Sequence, residues 1–383
     1  MINFTIDTND KTEFPHYWEN CVGSCHAYTA LREDYRKQLK KAHEELGFRS
    51  VRFHGLFNDN MSVCSQQSSS DPSSVDNLAY NFANIDNIFD FLLSIGMKPF
   101  VEIGDMPGCL ASGDETFFNY KMNITPPTDY GKWNDFIYTF IEHLGDRYGR
   151  QEITSWLFEV WNEPNMAIFW TGTKDQYFEL YKNTVKAIKA YDSQLKVGGP
   201  ATSCNAWIPD LIQFCKENKL PLDFITTHHY PSDEQLWEKG EFDFSDVMAI
   251  VLSGEKSKFG RDIMKKMAFK AHEQAGNYPL YYTEWNPSSM IIDDIHDECY
   301  SASMTAKILS DNDGLVDGYS FWTFSDIFEE CGQKAGVFYG GLCGHWDCIE
   351  TGEEAEKNTL SSKSWLNAYE KYKNKGVPSL SKY

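Results

Sequence analysis

The chain is short of positive charge. Its 383 residues hold 35 Lys and Arg against 56 Asp and Glu, a formal net charge of −21. Nucleic acids and anionic membranes are recognised through clustered Lys and Arg, so neither is an expected partner. A neutral or cationic partner fits this balance, and so does solubility alone. No apolar run is long enough for a membrane-spanning helix. The start, Met1-Ile2-Asn3-Phe4-Thr5-Ile6-Asp7, has neither a basic n-region nor an apolar h-region. A cytoplasmic protein is expected; the alternative is a secreted one whose signal has been removed. No Gly-rich phosphate loop is present, so a dinucleotide site has no support. No low-complexity linker divides the chain, and nothing in it specifies an oligomeric state.

Ten cysteines, Cys21, Cys25, Cys64, Cys109, Cys204, Cys215, Cys299, Cys331, Cys343 and Cys348, are scattered rather than clustered as in a small disulfide scaffold. Free cytosolic thiols are the expectation. Cys343-Gly344-His345-Trp346-Asp347-Cys348 has the look of half a metal cluster, but no second half matches it. Neither a metal nor another cofactor is expected. Aromatic residues, by contrast, reach 15 %. Their excess reads either as an aromatic core or as stacking surfaces for a ring-shaped ligand.

Short apolar runs with strand character recur at Asn20–Ser24, Ser50–Phe53, Lys98–Ile103, Trp156–Val160, Leu195–Pro200, Asp223–Thr227, Leu280–Thr283 and Gly318–Thr323. Helical spacing fills the intervals, strongest at 130–148, and a closing helix is expected over 363–373. Residues 1–19 read as an irregular N-terminal extension and 65–74 as a mobile Ser-rich loop. Eight alternations of strand and helix are the signature of a closed (β/α)8 TIM barrel, here over residues 20–383.

Two strands end in the same way. Leu157-Phe158-Glu159-Val160 runs into Trp161-Asn162-Glu163-Pro164-Asn165, and Tyr281-Tyr282-Thr283 into Glu284-Trp285-Asn286-Pro287. Each run stops abruptly in turn chemistry, which leaves Glu163 and Glu284 at the strand edge where barrel catalytic groups sit. Two carboxylates across a cleft suit glycosidic-bond hydrolysis. One must carry a proton for the leaving oxygen and the other must be ionised to meet the developing oxocarbenium ion. A single strand-end Glu would more often be a salt-bridging residue; the matched pair, each flanked by Trp and Asn, favours chemistry.

The motifs Arg52-Phe53-His54-Gly55, Ile124-Thr125-Pro126-Pro127, Phe158 to Asn165, Thr227-His228, Thr283-Glu284-Trp285-Asn286 and Ser320 to Asp326 together resemble glycoside hydrolase family 39, within clan A retaining glycosidases. That family holds β-xylosidases and α-L-iduronidases, and the likeness runs from about residue 20 to about 342. The resemblance implies Glu163 as general acid/base and Glu284 as nucleophile of a double displacement. Asn162 is then expected to hold the sugar 2-hydroxyl, or else to form the turn. His228 and Tyr230 are expected to orient the nucleophile or a sugar hydroxyl, with His229 pointing away. His54 is expected to meet a hydroxyl across the ring, Trp322 to floor the sugar subsite and Trp285 to wall the cleft. Packing or structural roles are the alternative for His54, His228 and both Trp residues. Among Asp326, Glu329 and Glu330, Glu329 is favoured as acceptor for outer hydroxyls.

The acidic loops near Glu284 favour a neutral pentose over a uronic acid, which needs Lys or Arg beside its carboxylate. The expected activity is an exo-acting β-xylosidase on short, neutral xylooligosaccharides. The alternatives are the same fold acting on an α-L-arabinopyranoside, a β-glucoside or galactoside, or an α-L-iduronide; a non-catalytic carbohydrate-binding barrel; or a metal-dependent hydrolase pressing His54, His228 and Asp105 into service. The chain departs from the family at Asp105-Met106-Pro107, where an aromatic is expected before Met-Pro. It departs again from Leu342 to Ser362, a loop expected to border the substrate entrance. The C-terminal β-sandwich usual in the family's bacterial xylosidases is expected to be absent or vestigial.

Overall fold

The structure, a computed structural model, describes residues 13–66, 78–240, 259–289 and 299–325, together with 242, 246, 249, 295, 327 and 330. Twelve strands lie among them: β1 (Val22–Ser24), β2 (Ser50–Phe53), β3 (Cys64–Gln66), β4 (Leu78–Tyr80), β5 (Lys98–Ile103), β6 (Thr116–Phe117), β7 (Met122–Asn123), β8 (Leu157–Val160), β9 (Lys196–Thr202), β10 (Phe224–His229), β11 (Leu280–Trp285) and β12 (Gly318–Phe321). Eight of them close a barrel in the order β1-β2-β5-β8-β9-β10-β11-β12, with β12 back beside β1. Every pair in it is parallel. Parallel neighbours need a crossover, and helices supply it. The eight expected strands and the (β/α)8 barrel are therefore present. The closing helix expected over 363–373 lies outside the described residues, as does the loop 342–362.

The helices are α1 (Glu33–Leu46), α2 (Ala83–Ser94), α3 (Tyr130–Tyr148), α4 (Arg150–Ile153), α5 (Lys174–Tyr191), α6 (Ile208–Asn218), α7 (Glu234–Lys239), α8 (Ile263–Ala275) and α9 (Cys299–Asp311). Their ends follow from local chemistry. Asp129 caps α3 by accepting from the amides of Gly131 and Lys132, and Thr173 with Gln176 forms a capping box on α5. Gly47 ends α1 at φ 81°, a conformation that costs glycine little. Among the described residues, no helix is long and apolar enough to cross a membrane.

Two segments differ from expectation. Tyr17 and Trp18 are buried, and the Tyr17 hydroxyl donates to the Leu309 carbonyl at 2.6 Å. These two residues thus anchor the end of the N-terminal extension on the barrel; the aromatic pair is the signal that polar neighbours obscured. The long loops after β2 and β5 each carry a small antiparallel hairpin, β3–β4 and β6–β7. Strands of two or three residues are too short to leave a periodic trace.

Inside the barrel, side chains stack in layers, since alternate residues of each strand face inward. The floor is aromatic: Phe100, Phe224 and Tyr281 meet edge to face at 5.6–6.2 Å between ring centroids. Above it lie Arg52, Glu102, Glu159 and Thr283, and above these the strand ends carry the candidate site.

Candidate active site

Backbone irregularities aim both candidate carboxylates. In β11 the register against β10 runs from Thr227↔Tyr282 to His228↔Glu284, so Thr283 is an extra, bulged residue. A bulge re-aims the side chains around it. Thr283 and Glu284 consequently both reach the interior, while Tyr282 and Trp285 face the surrounding helices. In β9 a comparable shift falls at Ala201, whose carbonyl accepts the Glu163 amide at 2.8 Å. Trp161 and Glu163 both adopt positive φ, 71° and 43°. For non-glycine residues this conformation is costly and persists only where surrounding contacts hold it. Here those contacts are Trp161 Nε1 donating to the Phe169 carbonyl at 2.9 Å and Asn165 Oδ1 accepting from the Ser203 amide at 2.9 Å.

Glu163, His228 and Glu284 each offer a polar atom within 4.8 Å of the other two. Glu284 is held at both oxygens. Its Oε1 accepts from Arg52 Nη1 at 2.9 Å and lies 3.3 Å from His54 Nε2; its Oε2 accepts from the Tyr230 hydroxyl at 2.9 Å. Burial alone would raise its pKa, but His228, His54 and Arg52 outweigh burial and hold the carboxyl far below the usual carboxylate range. Glu284 is therefore ionised. Tyr230 is pushed the other way by burial and by Glu284 and Glu163, so its phenol keeps its proton and donates.

Glu163 has a different setting. Its Oε1 sits 2.9 Å from His228 Nδ1. His228 Nε2 lies 3.1 Å from Thr283 Oγ1, and that hydroxyl donates to Glu159 Oε1 at 2.7 Å. With its proton committed to Glu159, Thr283 can only accept from His228 Nε2–H. Two arrangements remain: a neutral imidazole taking a hydrogen bond from protonated Glu163, or an imidazolium donating to ionised Glu163.

Beneath the pair lies a residue that sequence reasoning left unassigned. Arg52 is fully buried and contacts Glu159 Oε2 at 2.5 Å, Glu102 Oε2 at 2.8 Å, Glu284 Oε1 at 2.9 Å and Asn162 Oδ1 at 2.9 Å. Burial disfavours its charge, yet Glu159, Glu102 and Glu284 more than restore it. A legible signal existed: Arg52, Glu102 and Glu159 are each a charge inside an otherwise apolar strand, which is costly unless they meet.

The family model for glycosyl hydrolases family 39 matches residues 3–367. The chain belongs to glycosyl hydrolases family 39. It is 50 % identical over 328 residues to a β-xylosidase of Caldicellulosiruptor saccharolyticus, across 85 % of this chain and 64 % of that protein. It is 38 % identical over 347 residues to a β-xylosidase of Geobacillus stearothermophilus, across 88 % of this chain and 66 % of that one. The solved structure of a family 39 β-xylosidase from Caulobacter crescentus superposes with TM-score 0.70 at 36 % identity, covering 83 % of this chain and 64 % of its own. The chain thus spans a little under two thirds of the length of these relatives.

The family frame helps sort the other expected residues. Asn162 spends its Oδ1 on Arg52, which leaves its amide NH2 as the group available to a ligand. His54 is tied to Glu102 Oε2 at 2.8 Å and to Glu284, so it is part of the carboxylate network rather than a free-standing hydroxyl contact. Burial would lower its pKa, but Glu102 and Glu284 push it well above the ordinary imidazole value. Trp322 lies beside His54, ring centroids 4.7 Å apart, in the space that Gly23 leaves open; a Cβ there would meet Trp322 at 2.8 Å. His229 points away, as expected, stacking on Tyr282 at 3.7 Å.

Trp285 is a correction. It is fully buried, stacks on Tyr319 at 4.3 Å and donates to the Tyr319 carbonyl, so it belongs to the core between barrel and helices and walls no cleft. The bulge that turns Glu284 inward turns its neighbour outward. Glu329 and Asp326 lie outside the described residues. Glu330 is buried and its Oε1 has no hydrogen-bond partner; burial raises its pKa to about 8, with His54, Glu284 and Glu163 all close enough to act on it. Asp105 is fully buried, with Oδ2 accepting from Asn58 at 2.9 Å and Oδ1 unpartnered. Burial raises it to about 7.

Proposed function

We propose that the chain is a retaining exo-acting β-xylosidase that releases xylose from short xylooligosaccharides. The observation that carries this reading is the close approach of two carboxylates in opposite settings. Glu284 is ionised and clamped by cationic neighbours, whereas Glu163 meets a single imidazole nitrogen, His228 Nδ1, at 2.9 Å. An oxygen of one lies within 4.8 Å of an oxygen of the other. That spacing suits retention, which uses carboxyls ~5–5.5 Å apart; inversion needs room for a water and ~6.5–9.5 Å.

In the first displacement a Glu284 oxygen attacks C1 of the sugar while Glu163 gives its proton to the departing glycosidic oxygen. The C1–O bond breaks and a glycosyl ester forms on Glu284. In the second, ionised Glu163 takes a proton from water, the water oxygen attacks C1 on the same face the leaving group left, and Glu284 departs as carboxylate. Tyr230, His54 and Arg52 hold Glu284 for attack. The Asn162 amide NH2 is the donor for the 2-hydroxyl, Trp322 the stacking floor, and Glu330 or Glu329 the acceptor for outer hydroxyls. The likeness to β-xylosidases and the acidic surroundings of the cleft support a neutral pentose.

The same three atoms of Glu163, His228 and Glu284 have the compass of a cation site. The protein supplies the counter-charge itself through Arg52, so we expect turnover to survive chelators.

A panel of nitrophenyl glycosides on wild type, Glu163→Gln and Glu284→Gln tests the reading. Loss of Glu284 should abolish activity on every substrate. Loss of Glu163 should hurt poor leaving groups far more than good ones, with azide restoring turnover. Full activity in either variant, or a preference for a sugar other than xylose, would overturn it.

A further inference from the structure

Cys64 and Cys109 stand apart from the other thiols. Cys64 opens β3 in the loop after β2; Cys109 lies in the turn that follows Pro107 in the loop after β5. Their Sγ atoms are 2.8 Å apart, although 45 residues separate them in sequence. A disulfide bond measures ~2.05 Å, so closing it asks for less than about 1 Å of movement. The two loops are already stitched together just before each thiol in sequence. Asn58 donates to Asp105 at 2.9 Å, and the Gly108 amide donates to Asp59 Oδ1 at 2.9 Å. The approach of the two sulfurs is therefore held by a built contact between two loops, each of which begins at a strand end lining the candidate active site.

Access is unequal. Cys64 is buried, while Cys109 is partly exposed. The hydrogen bond between them raises Cys64 and lowers Cys109, so Cys109 is the thiol of the pair that ionises first.

We propose that Cys64 and Cys109 are a redox-convertible dithiol that closes to a disulfide by exchange with a small-molecule disulfide, locking together the loops after β2 and β5. Cys109 thiolate attacks one sulfur of the reagent, forming a mixed disulfide and releasing one thiolate. Cys64, after losing its proton to water, attacks the Cys109 sulfur and expels the second. Two protein thiols are oxidised, the reagent is reduced to two thiols, and the two protons leave with them. The inference is independent of which glycoside the barrel cleaves.

The test treats the folded full chain with oxidised glutathione, blocks residual thiols with an alkylating reagent and maps the peptides by mass spectrometry. A Cys64–Cys109 cross-linked peptide is expected in wild type, reversed by dithiothreitol. Cys64→Ser should instead leave Cys109 carrying glutathione, and Cys109→Ser should carry none at Cys64. Both variants should keep the activity of the reduced wild type, since neither thiol touches the carboxylates. A wild-type protein whose Cys109 stays as the glutathione adduct, remains free, or links to another cysteine overturns the proposal. So does cross-linking that occurs only after denaturation. The wild-type map decides the matter even if a variant fails to fold.

Discussion

Arg52 reaches from inside the barrel to donate from Nη1 to Oε1 of Glu284 at 2.9 Å, while its other nitrogens hold Glu102, Glu159 and Asn162. One cation thus fixes the nucleophile candidate, two deeper carboxylates and the amide beside the acid/base candidate. Replacing Arg52 by Met would strand three buried carboxylates, a loss of about 3–5 kcal/mol by comparison with other broken buried pairs. Arg52→Lys keeps the charge but not the fork, and should fold while losing about 100-fold or more in kcat. Urea unfolding and steady-state rates on nitrophenyl xyloside check both. Wild-type stability in Arg52→Met would show that these carboxylates do not depend on it.

Tyr230 donates to the second oxygen of Glu284. Tyr230→Phe removes one hydrogen bond to a charged acceptor, worth about 1.5–3 kcal/mol, with almost no change of shape. A fall of roughly 10- to 100-fold in kcat is expected, together with a lower unfolding midpoint, because the bond already exists in the resting protein. An unaltered kcat would mean that Tyr230 does not act on the nucleophile during turnover.

In the proposed mechanism His228 acts through Glu163, 2.9 Å away, so its loss should resemble a weakened acid rather than a lost nucleophile. His228→Ala is expected to slow xylosides with poor leaving groups more than those with good ones. A comparison of aryl xylosides graded by phenol acidity reads this as a steeper dependence on leaving group. The same slope as wild type would remove His228 from the proton-holding role.

Much of this site could be read from strand grammar. Glu163 and Glu284 each stand where an apolar run gives way to turn residues, and the alternation of strands with helices implies that such ends share one face. Trp285 is less legible because it adjoins Glu284 in sequence but not in space; a strand puts neighbours on opposite faces, and the bulge at Thr283 decides which one faces in. The Arg52–Glu102–Glu159 cluster was harder to see. Each charge lies on a different strand, and only barrel closure brings them within hydrogen-bond reach.

Asp105 provides a pH test of the buried layer. Its folded-state pKa, about 7, lies above the ordinary 3.8, and burial is the main cause. For such a group the protonated, folded form is favoured at low pH, and that advantage is lost as pH rises through about 7. Asp233 and Glu330 are shifted in the same direction, to about 7 and about 8. Stability should therefore decline from about pH 5 to pH 8. Asp105→Asn, an isostere that tolerates its φ of 59°, should remove on the order of 3 kcal/mol of that decline. Urea unfolding across this range reads the effect; parallel curves for wild type and variant would contradict it.

The central claim is that Glu284 forms a covalent bond to the sugar while Glu163 moves the proton. Incubation with an activated 2-deoxy-2-fluoro-xyloside, which slows release of the intermediate, followed by peptide mapping tests it most directly. The account predicts one added fluoroxylosyl group on the peptide holding Glu284, absent from Glu284→Gln and discharged by a xyloside acceptor. An adduct on a different carboxylate, or none while the enzyme still turns over xylosides, would contradict it.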